Sequence, residues 1–203
     1  MISLYIVYGM TIIPIMQVSS GSLNLYVGPM FSGKTSKLIE LYKQFTFCKI
    51  PTVVINYTED IRYTDEPMMF THDRTKVECV MGTKLNDIFP PGGERASHYK
   101  VFLINEGQFF PDIVEWTKAM VGTPYSKKVY ICGLDGDFKR NTFSNWLDLI
   151  AYSDGIQKLS SFCCDCRLMP AIFSHRLTED KEQKMIGNDA YIPLCRDCYE
   201  KRN

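Results

Sequence analysis

The segment Gly28-Pro29-Met30-Phe31-Ser32-Gly33-Lys34-Thr35 constrains this chain more than any other. It matches G-x-x-x-x-G-K-[ST] in full, a pattern that works only directly after a strand and at the opening of a helix. Both neighbours are present. Residues 22–27 form a short apolar run ending at glycine. Across 33–49, Leu38, Leu41, Tyr42, Phe45 and Cys48 recur mostly at three- and four-residue steps, the spacing of one helix face. In such a loop the glycines let backbone N–H groups converge on phosphate oxygens, helped by the positive end of the helix. Lys34 can reach the β- and γ-phosphates, and the Thr35 hydroxyl can ligate Mg²⁺. The loop implies a nucleoside triphosphate and leaves the acceptor open.

Pro51 ends the helix, and residues 52–56 read as a β-branched strand. Residues 101–105 and 129–133 are two further buried strands. Between them Pro111 stands at a plausible first helical position, with Ile113, Trp116 and Met120 on one face. Residues 57–100 look less regular, with loops around 60–67 and 86–97. Strands alternating with helices imply an α/β fold: a P-loop (RecA-like), mostly parallel sheet with helices on both faces and ligands at the carboxyl ends of the strands. At 203 residues the chain can also carry a small appendage, which begins near Ser160. Lys+Arg and Asp+Glu both total 23, so the chain has no basic field of the kind a dedicated nucleic-acid binder carries.

Residues 1–18 carry no charged side chain and are largely apolar. They lack the basic start and small-residue cleavage site of a signal peptide, and Gly9, Pro14 and Gln17 interrupt a membrane span of about 20 residues. Three readings are open: a stretch upstream of a true start at Met10 or Met16, an added strand or surface element, or a targeting segment.

Four of the eight cysteines form two CxxC pairs, Cys163 with Cys166 and Cys195 with Cys198, separated by 28 residues. Four thiolates suit a closed tetrahedral Zn²⁺, which makes the site structural. The spacer exceeds the about 15–20 residues of a common zinc ribbon, so it must form a loop anchored at its base by metal. Cys48, Cys79 and Cys132 are expected in the core, and Cys164 is a spare thiol. His175 is expected at the surface, and Arg176 either binds a carboxylate within the fold or is solvated. Reduced cysteines imply a reducing compartment.

A P-loop enzyme usually sets an acid at the end of a neighbouring strand. Here the strand at 101–104 runs into Asn105-Glu106-Gly107-Gln108-Phe109-Phe110, and Glu106 is placed to accept a proton from an attacking hydroxyl.

Together, GPMFSGKT, EGQFFPDIVE, FTHDR at 70–74, LDGDFKR at 134–140, the two CxxC pairs and KMIGNDAY closely resemble the type II thymidine kinases, over roughly residues 22–200. The resemblance implies transfer of the γ-phosphate of ATP to the 5′-hydroxyl of thymidine or deoxyuridine, with Glu106 as base and Lys34 and Arg62 steadying charge on the transferred phosphoryl. Residues 28–35, Asp60 and Asn105 would hold the nucleotide and its Mg²⁺. Met30, Phe109, Leu134, Phe138 and Phe143 would line the base pocket. A zinc-bearing lasso would fold over it and offer Ser174, Met185, Gly187 and Tyr191. The chain then divides into an N-terminal extension at 1–21, a kinase unit at 22–159 and a zinc and lasso unit at 160–203. The resemblance further implies a cytoplasmic homotetramer, feedback binding of dTTP, and no nucleic-acid or membrane partner. One departure stands out: the family has Asp where this chain has Asn105, and an amide oxygen is a weaker ligand for a hard cation. That substitution supports an alternative, a catalytically weakened nucleotide-binding relative with a regulatory role. A third reading, a zinc-ribbon nucleic-acid protein with an ATPase domain, conflicts with the neutral charge.

Overall fold

The computed structural model describes residues 5–8, 11–14, 20–58, 68–70, 76–178, 183 and 190–202. Its centre is a six-stranded sheet built from β1 (Ser22–Val27), β2 (Thr52–Tyr57), β3 (Val80–Gly82), β4 (Val101–Ile104), β5 (Lys128–Gly133) and β6 (Gly155–Lys158). The spatial order is β6-β1-β5-β4-β2-β3, and every neighbouring pair is parallel. Parallel strands covered on both faces need continuous apolar runs rather than alternation. The Val-Phe-Leu-Ile run of β4, buried at every position, has that character.

The period-two geometry of each strand then divides the core in two. Val53, Ile55, Phe102, Ile104, Val129 and Ile131 face α2 (Ile113–Val121), which buries Ile113, Trp116 and Met120 against them. Val54, Val101, Leu103 and Cys132 face the opposite way, onto Leu38, Ile39 and Leu41 of α1 (Lys34–Phe47). Helices thus cover both faces, and the switch between them leaves the carboxyl ends of β1, β4 and β5 side by side.

Several expectations are corrected. Cys48 is exposed, because α1 ends at Phe47 and Cys48 is its C-cap, past the turns that meet the sheet; Cys79 and Cys132 are buried as expected. Pro111 lies one residue ahead of the helix N-cap, Asp112. The Asp112 carboxylate instead accepts from the backbone N–H groups of Leu85 (3.0 Å) and Asn86 (2.8 Å), at the start of the short helix Leu85–Ile88. Residues 57–100 contain that helix, another at Glu94–Ser97, and the edge strand β3. Three residues are too few to show a period. The edge strand β6 was not anticipated either, since its largely exposed Gly-Ile-Gln-Lys carries no buried pattern. Tyr5–Tyr8 and Thr11–Pro14 pair antiparallel in a two-stranded sheet apart from the main one.

The C-terminal unit is made of short ladders. β7 (Ser161–Phe162) pairs with β8 (Pro170–Ala171), and β9 (Phe173–Arg176) pairs with β10 (Tyr191–Leu194), before α3 (Arg196–Arg202) closes the chain. No helix among the described residues is long and apolar enough to cross a membrane.

Candidate functional site

The P-loop leaves β1 and wraps onto the N-terminus of α1. Gly33 takes φ 82° as the N-cap, and Phe31, a non-glycine residue, is held at φ 62°. Strain of that kind persists where surrounding structure over-determines it, commonly at ligand sites. Gly28 is required by close approach, since a Cβ there would lie 2.4 Å from the Leu159 carbonyl oxygen. Inside the loop, Lys34 Nζ donates to the Pro29 carbonyl (2.6 Å) and lies 3.5 Å from Ser32 Oγ, while Ser32 Oγ donates to Pro29 at 2.8 Å. Beneath the loop, the Cys132 thiol donates to the Lys34 carbonyl at 3.2 Å. Burial pushes that thiol far above its usual range, so it stays protonated.

β4 delivers the polar residues. Its parallel pairing with β2 brings Asn105 beside Asn56, and the buried Asn105 Nδ2 donates to Asn56 Oδ1 at 3.0 Å. Asn105 Oδ1 in turn accepts from Thr35 Oγ1 at 3.4 Å, which joins strand end and P-loop. Glu106 turns the chain with φ 54° and ψ 43°, another strained non-glycine position. Gln108 Nε2 donates to Glu106 Oε2 at 2.7 Å, and Gln108 Oε1 accepts from the Leu134 N–H at 3.0 Å. Sequence reasoning quoted Gln108 within its motif but gave it no role. It gave none to Asn56 either, because that pairing exists only through the sheet register.

Apolar residues gather beyond this corner. Phe109 packs edge-on to the buried Phe143 at 5.7 Å between centroids and against Tyr57, not anticipated, at 5.5 Å. Leu134 is held from both sides, since its carbonyl also accepts from Trp146 Nε1 at 3.1 Å. Phe138 stacks beneath Arg176, with the guanidinium carbon 3.9 Å from the ring centroid.

The C-terminal unit docks on the same corner. Ser174 Oγ accepts from the Met30 N–H at 3.0 Å and so contacts the P-loop directly. Arg176 is buried. Its Nε donates to Tyr191 Oη at 3.1 Å, and its Nη2 donates both to Tyr191 Oη and to the Gln183 carbonyl, the latter at 3.4 Å. Arg176 therefore sits between two aromatic side chains and the loop, buried rather than solvated. Gln183 Nε2 reaches the buried Asp137 at 3.0 Å. His175 is half-buried rather than at the surface: its ring meets Tyr199 edge-on at 5.9 Å, and burial first, then Arg202, lowers its pKa. A cleft of about 180 Å³ opens where the units meet, bordered by Asp135, Arg140, Lys158 and Ser174. The structure thus joins Met30, Lys34, Thr35, Asn105, Glu106, Phe109, Leu134, Phe138, Phe143, Ser174 and Tyr191 into one neighbourhood through the contacts above. Asp60, Arg62, Met185 and Gly187 lie outside the described residues.

The sulfur atoms of Cys163, Cys166, Cys195 and Cys198 all lie within 4.8 Å of one another, and Cys166 and Cys195 are 3.9 Å apart. Tetrahedral thiolates about 2.3 Å from Zn²⁺ sit about 3.8 Å from each other, so this donor set fits the ion. Burial acts to raise the Cys163 thiol, but hydrogen bonds from the backbone of Cys195, Cys166 and Asp165 outweigh it and draw it down to about 6. Cys164, between two ligands, is exposed.

The thymidine kinase family model matches residues 21–199. A thymidine kinase of vaccinia virus is 39% identical over 183 residues, covering 90% of this chain and 98% of the relative. Thymidine kinase 1 of Dictyostelium discoideum is 37% identical over 184 residues, 89% of this chain and 78% of the relative. The monkeypox virus thymidine kinase is 38% identical over 183 residues, with 90% and 98% covered.

Proposed function

The chain belongs to the thymidine kinase family, and from that premise we propose that it transfers the γ-phosphate of ATP to the 5′-hydroxyl of thymidine, with deoxyuridine as a second acceptor. The observation that carries this reading is the convergence of the P-loop and the β4 strand end, joined through Thr35 and Asn105 at 3.4 Å. In this reading Glu106 takes the proton of the 5′-hydroxyl as that oxygen bonds to the γ-phosphorus, and the bond from phosphorus to the leaving ADP oxygen breaks. Lys34 and Arg62 steady the charge on the phosphoryl oxygens in flight, where little beyond positioning and electrostatics is needed. Thr35, Asn105 and Asp60 would hold Mg²⁺, which when bound neutralises phosphate charge. Gly28, Pro29, Phe31, Ser32 and Gly33 supply the loop backbone around the phosphates.

Met30, Phe109, Leu134, Phe138 and Phe143 form the proposed base pocket, and the lasso residues Ser174, Met185, Gly187 and Tyr191 close it. Family resemblance supports a homotetramer, feedback binding of dTTP, and a kinase unit at 22–159 with a zinc unit at 160–203. The cytoplasm suits a site that needs reduced thiols.

The test is phosphate transfer from Mg-ATP to thymidine by wild type beside Asn105→Asp. Wild type is expected to turn over, and the aspartate to lower the Mg²⁺ concentration for half-maximal rate severalfold, since a carboxylate is the stronger ligand. Absence of transfer by both proteins would sink the reading.

A second expectation concerns Arg176, which ties Phe138, Tyr191 and Gln183 together. Arg176→Met keeps the stem but removes every guanidinium contact. The KM for thymidine should rise about tenfold or more, the size expected when a buried charged hydrogen-bond network is broken, while kcat and zinc content change little. An unaltered KM would show that Arg176 does not shape the pocket.

A further inference from the structure

We propose that Gln108 is a positioning residue: its side-chain amide aims the Glu106 carboxylate at the acceptor hydroxyl and locks it in register with the backbone at Leu134. The proposal rests on the reading of Glu106 as general base. Gln108 is only 3% exposed, yet both ends of its amide are used. The oxygen accepts from the Leu134 N–H, which can only donate. The amide orientation is therefore set by chemistry, and the NH₂ group must be the end that faces Glu106.

The amide is closely packed where it stands. A Cβ on Gly133 would stand 2.7 Å from Gln108 Oε1 and 2.8 Å from the Trp146 ring, and one on Gly107 would stand 2.4 Å from Ile131 Cγ2. Gly133 thus clears the space that the Gln108 amide occupies, and Gly107 lets the turn pack against Ile131. Leu134, at the far end of the bridge, is fixed in turn by Trp146 and belongs to the proposed base pocket. One side chain therefore sets the distance between the pocket wall and the carboxylate that must meet the 5′-hydroxyl.

The donor also has an electrostatic consequence. A hydrogen bond to the ionised carboxylate favours that form, and only the ionised form can act as base. Among the described residues, Cys132 on β5 interacts electrostatically with both Glu106 and Lys34. The buried Cys132 stays neutral, so replacing Gln108 removes a donor to Glu106 without changing the charge of that thiol.

Gln108→Glu separates the two halves of the bridge. It can still accept from Leu134 but sets a carboxylate against Glu106. Measured across about pH 5–9 with thymidine and Mg-ATP, the acid limb of kcat should move up by about one unit or more. On the acid side of the limb the rate should fall by about tenfold for each pH unit the limb moves and recover as pH rises. A merely structural role would lower kcat or the melting temperature without moving the limb. Should Gln108→Glu fail to fold, Gln108→Met, apolar and of similar length, carries the test, with a smaller upward shift. A limb that stays where wild type has it overturns the proposal. Glu106→Gln, run beside them, separates the two levels: near-wild-type turnover there overturns the base assignment itself, and loss of turnover supports it.

Discussion

Lys34→Ala is expected to lower kcat for transfer from ATP to thymidine by on the order of 10³-fold or more while the fold survives. Charge builds on the γ-phosphoryl oxygens as the bond to ADP breaks, and a preorganised cation in a site that excludes water acts most strongly at that point; removing one such group typically costs about 10²–10³ in rate, and more where it also binds the ground state. In the P-loop the ammonium lies against the Pro29 carbonyl and Ser32 Oγ, so it is held at the loop it serves. The structural loss is small by comparison. One hydrogen bond to a charged group contributes about 1.5–3 kcal/mol at most, and α1 keeps its packing through Leu38, Ile39 and Leu41. Initial rates at saturating thymidine, beside a thermal melt, separate the two effects. Undiminished turnover would refute the phosphate assignment.

What could be read from the sequence was what depends on near neighbours. The P-loop, the acid at the end of β4 and the CxxC pairs are each short patterns whose chemistry depends on their own spacing, and all stand where the sequence put them. Features built by the sheet register were invisible. Asn56 meets Asn105 across 49 residues, and Ser174 meets Met30 across 144. Nothing local marks either pair. Cys48 misled for a related reason: periodicity identifies a helix face but not where the helix outruns the sheet beneath it. Arg176 was ambiguous because a lone arginine reports little of its surroundings. Its inward direction follows from alternation along β9, which buries Ser174 and Arg176 and leaves Phe173 and His175 on the other side.

Cys166→Ser should release zinc and, with it, the geometry of the lasso. The apolar core of the C-terminal unit is Ala171, Leu194 and Tyr199 packed around the ligands Cys163 and Cys195, too little to hold short ladders in place unaided. In the zinc reading the metal supplies what burial cannot, and structural zinc in small domains contributes about 10–16 kcal/mol. A serine hydroxyl is a poor substitute for thiolate, and the three remaining ligands leave an open position. Because β9 and β10 carry Ser174, Arg176 and Tyr191, their loosening should raise the KM for thymidine tenfold or more. The P-loop unit, with a core of its own on both sheet faces, should still melt cooperatively. Metal content by mass spectrometry and the KM for thymidine are the measurements, with Cys164→Ser, at an exposed position, as the variant that should change neither. Zinc retained in full by Cys166→Ser would show that the four sulfur atoms are not the ligand set. Zinc lost with the KM unmoved would show that the metal holds the unit together without shaping the pocket.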